Sequence, residues 1–415
     1  MLKPFLIEAR GGGGLLVAAG AIGVALGISA LPFYTLGIFT KPIAAEFDWT
    51  RGQVQAGFTA MIFGMLASGW AWGMAADRFG ARRVVLIGQV GLGLGLGFIA
   101  LALVPAQIAL WVLLWGLLGV LGTGTAPITW TRNVVAVFDA GRGTALGLTL
   151  AGSGVAAFLA PLAITPVIES FGWRAGYAAL GLTVLFVAIP VTVLMYRDPH
   201  RPGGGDASAD MPQPLDGLSV GAIVRGYRFW LMGVVFAAIT FGVSGMIPNL
   251  VPMLTDRGMA PSSAAVYVGL AGLAVIAGRI AAGILVDRFW APAVALGFLA
   301  LPALSCLLLA GDGLAGGVAM GLAAAAIGLA AGAEFDIVAY LCSRYFGMRH
   351  YGLSYALQQI GMSVGGAAGP LVFATFYDRT GSYSEVLYVS AALFAAAPLL
   401  QLLMGRYPNL TRASG

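Results

Sequence analysis

Charged residues are scarce in this chain. They make up 9% of its 415 residues, against about 25% in an ordinary soluble domain, and the apolar fraction is 59%. A soluble chain of this length needs far more charge to cover its surface, so a soluble fold is excluded. Apolar runs of about 20 residues, each long enough to cross a hydrocarbon core of about 30 Å, recur from end to end. The sequence therefore predicts an all-α integral membrane protein.

Cysteine and histidine are nearly absent as well. Cys306 and Cys342 fall in apolar runs without disulfide or metal-ligand spacing, and His200 and His350 fall in predicted loops. No predicted helix offers a histidine to a haem, which excludes a respiratory cytochrome. The sequence brings no nucleophile–base or metal-ligand set to membrane depth. We expect no cofactor, no metal and no enzymatic activity.

Polar interruptions divide the chain into twelve predicted membrane helices. Their approximate bounds are 14–40, 52–76, 83–103, 107–136, 143–168, 173–196, 228–254, 262–286, 291–310, 314–342, 351–377 and 384–405. An even number of crossings leaves both termini on the same side of the membrane. That side carries sixteen loop lysines and arginines, whereas the other side carries five, Lys41, Arg51, Arg174, Arg257 and Arg379. Because basic loops stay in the cytoplasm, we expect both termini there, in a bacterial inner membrane, and no nucleic-acid partner.

The two halves of the chain resemble each other. GMAADRF at 73–79 is echoed by GILVDRF at 283–289, and a second echo, from 138–162 to 346–371, has nearly the same offset. A polar stretch rich in Pro, Gly and Asp lies between the halves. We therefore expect an N-terminal six-helix bundle over 1–196, a cytoplasmic linker over 197–227 and a C-terminal six-helix bundle over 228–415. Two such pseudo-symmetric bundles around a central site form a recognised transporter plan.

The loop after the second predicted helix carries a further pattern. Its glycines allow a tight turn and its arginines can hold the loop at an anionic leaflet. The pattern G-x-x-x-D-R-x-G-x-R-R resembles the signature of the major facilitator superfamily. It is formed by Gly73, Asp77, Arg78, Gly80, Arg82 and Arg83, and a weaker second copy by Gly283, Asp287 and Arg288. The resemblance implies the major facilitator fold and a gating role for this loop, and the alternative is a basic loop that only fixes orientation.

A narrower resemblance lies in LPFYTLGIFTKPIAAEFDWTRGQV (31–54) and SRYFGMRHYGLSYAL (343–357), which are similar to the monocarboxylate and oxalate/formate transporter branch. This resemblance implies that Arg279, in helix eight, binds a substrate carboxylate. The chain departs from animal-type monocarboxylate carriers at Tyr34 and Val275, where those carriers have a lysine and an aspartate of their proton-coupling apparatus. Helix eleven lacks the second cation of the oxalate/formate pattern, which favours a monoanion.

Three ionisable residues remain at membrane depth, Arg279, Glu334 and Asp336. Each costs at least about 2.5–3.5 kcal/mol at a helix centre, so each is a functional candidate by default. A guanidinium can hold a carboxylate through two parallel hydrogen bonds, and the alternative is a structural Arg279 neutralised by an acidic neighbour. The two acidic residues lie about 200° apart around their helix. One is expected to face the pathway as a proton-coupling group, and the other to tie helices together.

Weaker pathway candidates are uncharged. They could donate hydrogen bonds to a substrate or stack on it, and the alternative for each is a role in joining helices or anchoring them at the interface. These residues are Tyr34, Trp130, Asn249, Tyr355, Gln358 and Gln359.

These observations predict a secondary active transporter for a small organic monocarboxylate, working by alternating access. Proton symport is expected because an anion entering a negative interior meets an opposing potential of about 2.3 kcal/mol per charge per 100 mV. Organic-anion exchange, export of hydrophobic drugs, and a non-transporting anion sensor remain alternatives. The expected partners are the organic anion, the proton and membrane lipid, and the chain is expected to function as a monomer.

Overall fold

The computed structural model describes residues 6–101, 107–138, 142–198, 217–311, 317–347 and 349–408. In these ranges the chain is almost entirely helical, and its one extended pairing is an isolated bridge between Gly217 and Gly347. Ten helices in the described ranges are long and apolar enough to cross a membrane. The predicted all-α membrane fold is thus confirmed.

One of these ten runs contains two membrane crossings. Thr144–Met195 has 52 residues, about 78 Å at 1.5 Å per residue, which is more than twice the thickness of a hydrocarbon core. Gly172 interrupts it with a φ of 81° and a ψ of 167°, a backbone conformation that glycine adopts readily. The chain therefore turns at Gly172, between helices five and six.

The helices of the first half follow in chain order. Helix one comprises Gly14–Ala25 and Leu31–Phe47, helix two is Arg51–Phe79, helix three is Ala81–Leu101, and helix four comprises Ile108–Gly122 and Pro127–Val137. Helices five and six occupy Arg142–Leu150, Gly152–Thr183 and Ile189–Met195, with a π-helical turn at Val184–Ala188.

The second half opens with a short linker helix, Val220–Arg225. Helix seven is Tyr227–Asp256, helix eight is Pro261–Arg288, helix nine comprises Ala291–Leu299 and Leu301–Ala310, helix ten is Gly317–Phe346, helix eleven is Tyr351–Thr380, and helix twelve is Ser384–Leu400. Residues 199–216 of the predicted linker lie outside the described residues. Its last part is fixed to the end of helix ten, where the Leu218 N–H donates to the Phe346 carbonyl at 2.9 Å.

Helix one is interrupted where the sequence predicts a continuous helix over 14–40. Its second segment has Pro32 in the first turn, where the missing N–H costs no helical hydrogen bond. Helix four is interrupted as well, by a 3₁₀ turn at Thr123–Thr125. The two breaks meet, because the freed Ile28 N–H donates to the Thr125 hydroxyl at 3.0 Å. Irregular backbone is tolerated inside an apolar bundle only when its polar groups are satisfied in this way.

The chain forms two compact units. The first comprises Met1–Pro199, Gly245–Ile276 and Ala367–Tyr383, and the second comprises His200–Ser244, Ala277–Gly366 and Ser384–Gly415. Helices seven, eight and eleven each place one segment in the first unit and the other segment in the second. The first unit therefore includes the predicted extracytoplasmic ends of three helices from the second half of the chain.

Candidate functional site

Arg279 lies in the interior of helix eight. It precedes the last residue of that helix by nine positions, about 13 Å along the axis. Its side chain is 11% exposed, and its Nη1 lies 3.8 Å from Oδ1 of Asp336. Its Nε is buried and has no hydrogen-bond partner in the described ranges. Among the described residues, the Nε donor of this guanidinium is therefore unused, and Nη1 lies beyond good hydrogen-bond distance of Asp336.

The two acidic residues of helix ten contact different helices. Glu334 is 3% exposed and accepts a hydrogen bond from the Thr240 hydroxyl of helix seven at 3.5 Å. The Asp336 side chain is 30% exposed and pairs with Arg279 of helix eight. Asp336 is therefore the carboxylate that pairs with the buried cation, whereas Glu334 bonds to helix seven and lies within electrostatic range of the same cation.

Helix eleven adds polar side chains to this region of the second unit. The ring of Tyr355 stacks on that of Tyr351 with centroids 6.1 Å apart, and its hydroxyl lies within electrostatic range of Asp336 and Arg279. One helical turn farther along, Gln359 has a buried Oε1 without a partner among the described residues. Residues four apart lie on one helix face, so Tyr351, Tyr355 and Gln359 form one stripe.

Two other predicted pathway residues donate hydrogen bonds to backbone carbonyls of the chain. Gln358 is 1% exposed, and its Nε2 donates to the Phe229 carbonyl of helix seven at 2.9 Å. Trp130 is completely buried, and its Nε1 donates to the Thr125 carbonyl at 3.1 Å. Its ring meets that of Tyr196 edge to face, with centroids 4.7 Å apart.

Tyr34 and Asn249 belong to the first unit, whereas Arg279 belongs to the second. Tyr34 packs against a small cluster of buried alanines that includes Ala30 and Ala156. Asn249 is completely buried, and its amide exchanges hydrogen bonds with the amide of Gln55, at 2.8 and 3.2 Å.

The first copy of the loop pattern is tied to the end of helix six. Gly80 has a φ of 88°, and a Cβ there would lie 2.5 Å from Oδ2 of Asp198. The Asp198 carboxylate accepts the backbone N–H of Arg82 at 3.0 Å and the Asn133 amide at 2.9 Å. Arg78 and Arg83 are exposed, a Cβ at Gly73 would meet open space, and the side chain of Asp77 lies outside the described structure.

The second copy is more open. Gly283 has free space around it, and Asp287 and Arg288 are exposed. The Ala291 N–H, at the start of helix nine, donates to the Tyr407 hydroxyl at 3.0 Å. Both partners lie 209 residues after Arg82 and Asp198, which make the equivalent contact in the first half. The internal repeat therefore extends to the contact that begins the third helix of each half.

A cluster of charged residues at the start of helix two is not predicted from the sequence. Arg51 makes a two-pronged contact with Asp256, through Nη1 at 2.6 Å and Nη2 at 2.8 Å, and Lys41 contacts the same carboxylate at 2.7 Å. The one signal in the sequence is that Lys41 precedes helix two and Arg51 begins it, and both are among the five basic residues predicted on the extracytoplasmic side. Hydropathy assigns such residues to loops and says nothing about their partners.

Another basic residue of that end, Arg174, pairs within the first half. Arg174 and the Trp173 indole both donate to the carboxylate of Glu46. Burial would raise the pKa of Glu46, but these hydrogen bonds outweigh burial and lower the pKa. The described residues contain no group of three or more histidine, cysteine, aspartate or glutamate side chains that could hold a metal ion.

The family model of the Major Facilitator Superfamily matches residues 22–370. The chain is 29% identical to monocarboxylate transporter 11 of Mus musculus, over 94% of this chain and 87% of that protein. It is 25% identical to the oxalate:formate antiporter of Oxalobacter formigenes, over 58% of this chain and 56% of that protein. A crystal structure of a D-xylose-proton symporter superposes with a TM-score of 0.70, at 13% identity, over 97% of this chain and 98% of that one. The chain belongs to the major facilitator superfamily and is a multi-pass membrane transporter, not an enzyme.

Proposed function

We propose that the chain transports a small organic monocarboxylate and binds its carboxylate through Arg279. The observation that carries the proposal is the incompletely satisfied guanidinium inside helix eight, buried to 89% and paired at 3.8 Å with one carboxylate. A membrane-embedded cation with free donors is costly unless it serves a ligand. A carboxylate is the ligand whose two oxygens match the planar fork of an arginine.

Asp336 supplies the competing group. Its carboxylate already contacts the guanidinium, so a substrate carboxylate and Asp336 compete for the same donors. Protonation of Asp336 removes that competition and frees Arg279 for substrate. Carboxylate binding and proton uptake are thereby coupled, as proton symport requires. In organic-anion exchange, the second mode consistent with the site, an incoming anion displaces the outgoing one and Asp336 stays charged.

The stripe on helix eleven suits the rest of such a substrate. The stacked rings of Tyr351 and Tyr355 offer an apolar face, and the unpartnered Gln359 amide oxygen can accept a hydrogen bond. The relatives support a carboxylate substrate, since two of them are named for monocarboxylates and for oxalate and formate. A single arginine, with no second cation in residues 356–370, favours a monoanion.

We further propose that the transporter lies in a bacterial inner membrane with both termini in the cytoplasm. The support is the excess of basic residues in the loops on the side of the termini. Transport then follows alternating access, in which Arg279 is reached in turn from each side of the membrane.

A thermal-shift screen tests the substrate class. Formate, lactate, pyruvate, benzoate and oxalate are added to purified wild type, Arg279→Ala and Arg379→Ala, the last of which removes an exposed arginine of helix eleven. A ligand at 100 times its Kd stabilises the folded state by about 2.7 kcal/mol. We expect at least one monocarboxylate to raise the melting temperature of wild type and Arg379→Ala, and to leave Arg279→Ala unchanged.

The proposal is wrong if no carboxylate stabilises wild type more than Arg279→Ala. Equal stabilisation of both proteins by lipophilic cations would favour a drug exporter. A sensor would bind the carboxylate in this screen and yet show no counterflow of radiolabelled substrate in proteoliposomes.

A further inference from the structure

The start of helix two is capped from two directions. Thr50 and Gln53 form a capping box, in which each side chain accepts the backbone N–H of the other residue. The next free donors, the N–H groups of Arg51 and Gly52, both donate to the carboxylate of Asp378 in helix eleven, at 3.0 and 2.8 Å. A carboxylate is favoured there because the N-terminus of a helix carries partial positive charge.

The side chain of Arg51 joins the same end of helix two to helix seven. Besides its two hydrogen bonds to Asp256, its guanidinium lies over the Tyr377 ring at 3.7 Å and donates to the Tyr383 hydroxyl at 3.0 Å. The Arg51 side chain is 12% exposed, and that of Asp256 is 22% exposed. One residue therefore contacts helix seven, helix eleven and the turn that follows helix eleven.

The contacts continue below Arg51 along one face of helix two. Gln55, one turn deeper, exchanges amide hydrogen bonds with Asn249 of helix seven. The Tyr383 hydroxyl also donates to the Asn249 amide oxygen at 3.2 Å, and burial raises the pKa of this phenol, which keeps it a neutral donor. Thr59, another turn deeper, donates to the Ala367 carbonyl of helix eleven at 2.7 Å. The face is joined over about 12 Å of helix.

We propose that these residues form a latch that holds the predicted extracytoplasmic ends of helices two, seven and eleven together and opens in every transport cycle. The outer latch consists of Arg51, Asp256 and Asp378 at the surface, with Gln55 and Asn249 beneath them. The inference rests on alternating access in this transporter and is independent of the carboxylate assignment.

The chemistry of the outer latch suits a contact that must open repeatedly. Its surface layer is charged and partly exposed, so water replaces each lost hydrogen bond when the helices separate. The close approach depends on small residues, since a Cβ at Gly37 would lie 2.2 Å from the Pro248 carbonyl and one at Gly52 would lie 2.7 Å from the Thr375 hydroxyl. Glycine at these positions permits contact without the large apolar surface that would make separation costly.

Accessibility of a single engineered cysteine tests the latch. Thr59→Cys is introduced together with Cys306→Ala and Cys342→Ala, and a membrane-impermeant maleimide is applied to each face of the membrane separately. Adding Arg51→Gln removes the charged contact with Asp256 and is expected to raise labelling from the latch side about tenfold, the change that corresponds to losing one charge-assisted pair. Labelling from the opposite side should fall.

Arg379→Gln is the matched control, because it removes an exposed arginine at the same end, next to Asp378. Its labelling rate should equal that of the parent. Equal rates in Arg51→Gln and the parent, or equal increases in Arg51→Gln and Arg379→Gln, would overturn the latch. Asp378→Asn provides a second route if Arg51→Gln does not fold, with the same expected increase. The readout uses no substrate, so its failure is distinct from failure of the carboxylate proposal.

Discussion

Two arginine–aspartate pairs in this transporter differ in geometry, and the difference matches the roles that we assign to them. Arg51 and Asp256 make two short contacts, at 2.6 and 2.8 Å. Arg279 and Asp336 approach only to 3.8 Å, well beyond the 2.7–2.9 Å of a good charge-assisted hydrogen bond. The first pair uses its bonding capacity on a partner within the chain. The second neutralises charge at depth and leaves donors for a ligand.

The two acidic residues of helix ten should differ in their effect on the pH dependence of binding. Asp336→Asn keeps the shape of the side chain but cannot titrate, so substrate binding should lose its pH dependence. Wild type should bind the carboxylate more tightly as pH falls, because protonated Asp336 no longer competes for Arg279. Glu334→Gln should change that profile less than Asp336→Asn does, since Glu334 hydrogen-bonds to Thr240 and lies within electrostatic range of Arg279 without pairing with it. The measurement is the Kd of the stabilising carboxylate between pH 5 and 8.

If Glu334→Gln abolished the pH dependence and Asp336→Asn kept it, proton coupling would be assigned to Glu334 instead. A flat profile in wild type would favour anion exchange, because exchange needs no titrating group. Thr240→Val serves as the control for Glu334→Gln, since it removes the hydroxyl that Glu334 accepts from and keeps the carboxyl group.

Hydropathy predicts which charges are buried, but not which partners they find. Arg279 and Asp336 are recognisable from sequence because each interrupts an apolar helix. Gln358 and Gln359 are adjacent, and only the packed structure shows that the Gln358 amide donates to helix seven, while the amide oxygens of both are buried without a partner among the described residues. Arg51 is 205 residues from Asp256 in sequence, so no local pattern links them.

At the scale of the helix, the main features that the sequence does not predict are the breaks within helices one and four. The sequence is almost uniformly apolar across 14–40, so a break in the helix there leaves no signal in the hydropathy. Gly27, Pro32 and the Gly-Thr repeat at 122–125 are compatible with either a continuous or a broken helix. The decision is tertiary, because each break needs a partner for its free backbone groups, and helices one and four supply this to each other.

The matched breaks make a prediction about stability. Thr125→Val keeps the shape of the side chain but removes the oxygen that accepts the Ile28 N–H, leaving a buried donor without a partner. Such a donor costs about 1–3 kcal/mol. The apparent melting temperature in detergent should fall, and Thr125→Ser, which retains the hydroxyl, should lose less.

The native cysteines report this unfolding directly. Cys306 and Cys342 are completely buried in the described structure, so a thiol-reactive dye labels them only after the helices separate. Equal melting temperatures for Thr125→Val and wild type would show that another group accepts the Ile28 N–H. A larger loss in Thr125→Ser than in Thr125→Val would show that packing of the methyl group, and not the hydrogen bond, stabilises the break.

At the scale of the molecule, the repeat and the latch have different symmetry. The contacts that begin helices three and nine recur at an offset of 209 residues, close to the offset of 210 residues between the two copies of the loop pattern. The outer latch uses helix two from the first half and helices seven and eleven from the second, with different residue types on each side. The repeat accounts for the contact shared by helices three and nine, and it does not account for the outer latch.

A reversible cross-link tests whether the latched end has to open for transport. A Cβ at Gly52 would lie 3.5 Å from the Cα of Thr375, so the two Cα atoms are at most about 5 Å apart, within the 4.4–6.8 Å of natural disulfides. In the Cys306→Ala, Cys342→Ala background, the pair Gly52→Cys and Thr375→Cys should form a disulfide across the latch. Oxidation should stop counterflow of a carboxylate found in the thermal-shift screen, and reduction should restore it.

The single variants separate the lock from the substitutions themselves. A Cβ on Gly52 would lie 2.7 Å from the Thr375 hydroxyl, so Gly52→Cys alone should weaken closure. Neither Gly52→Cys alone nor Thr375→Cys alone should respond to oxidant, because each lacks the second thiol. If counterflow continues at the reduced rate while the disulfide is fully formed, the two helix ends do not separate during transport. The substrate would then have to pass beside a permanently closed contact. If counterflow is lost only when the double variant is oxidised, the two helix ends must separate during transport, because a covalent bond at this one point then blocks the whole cycle.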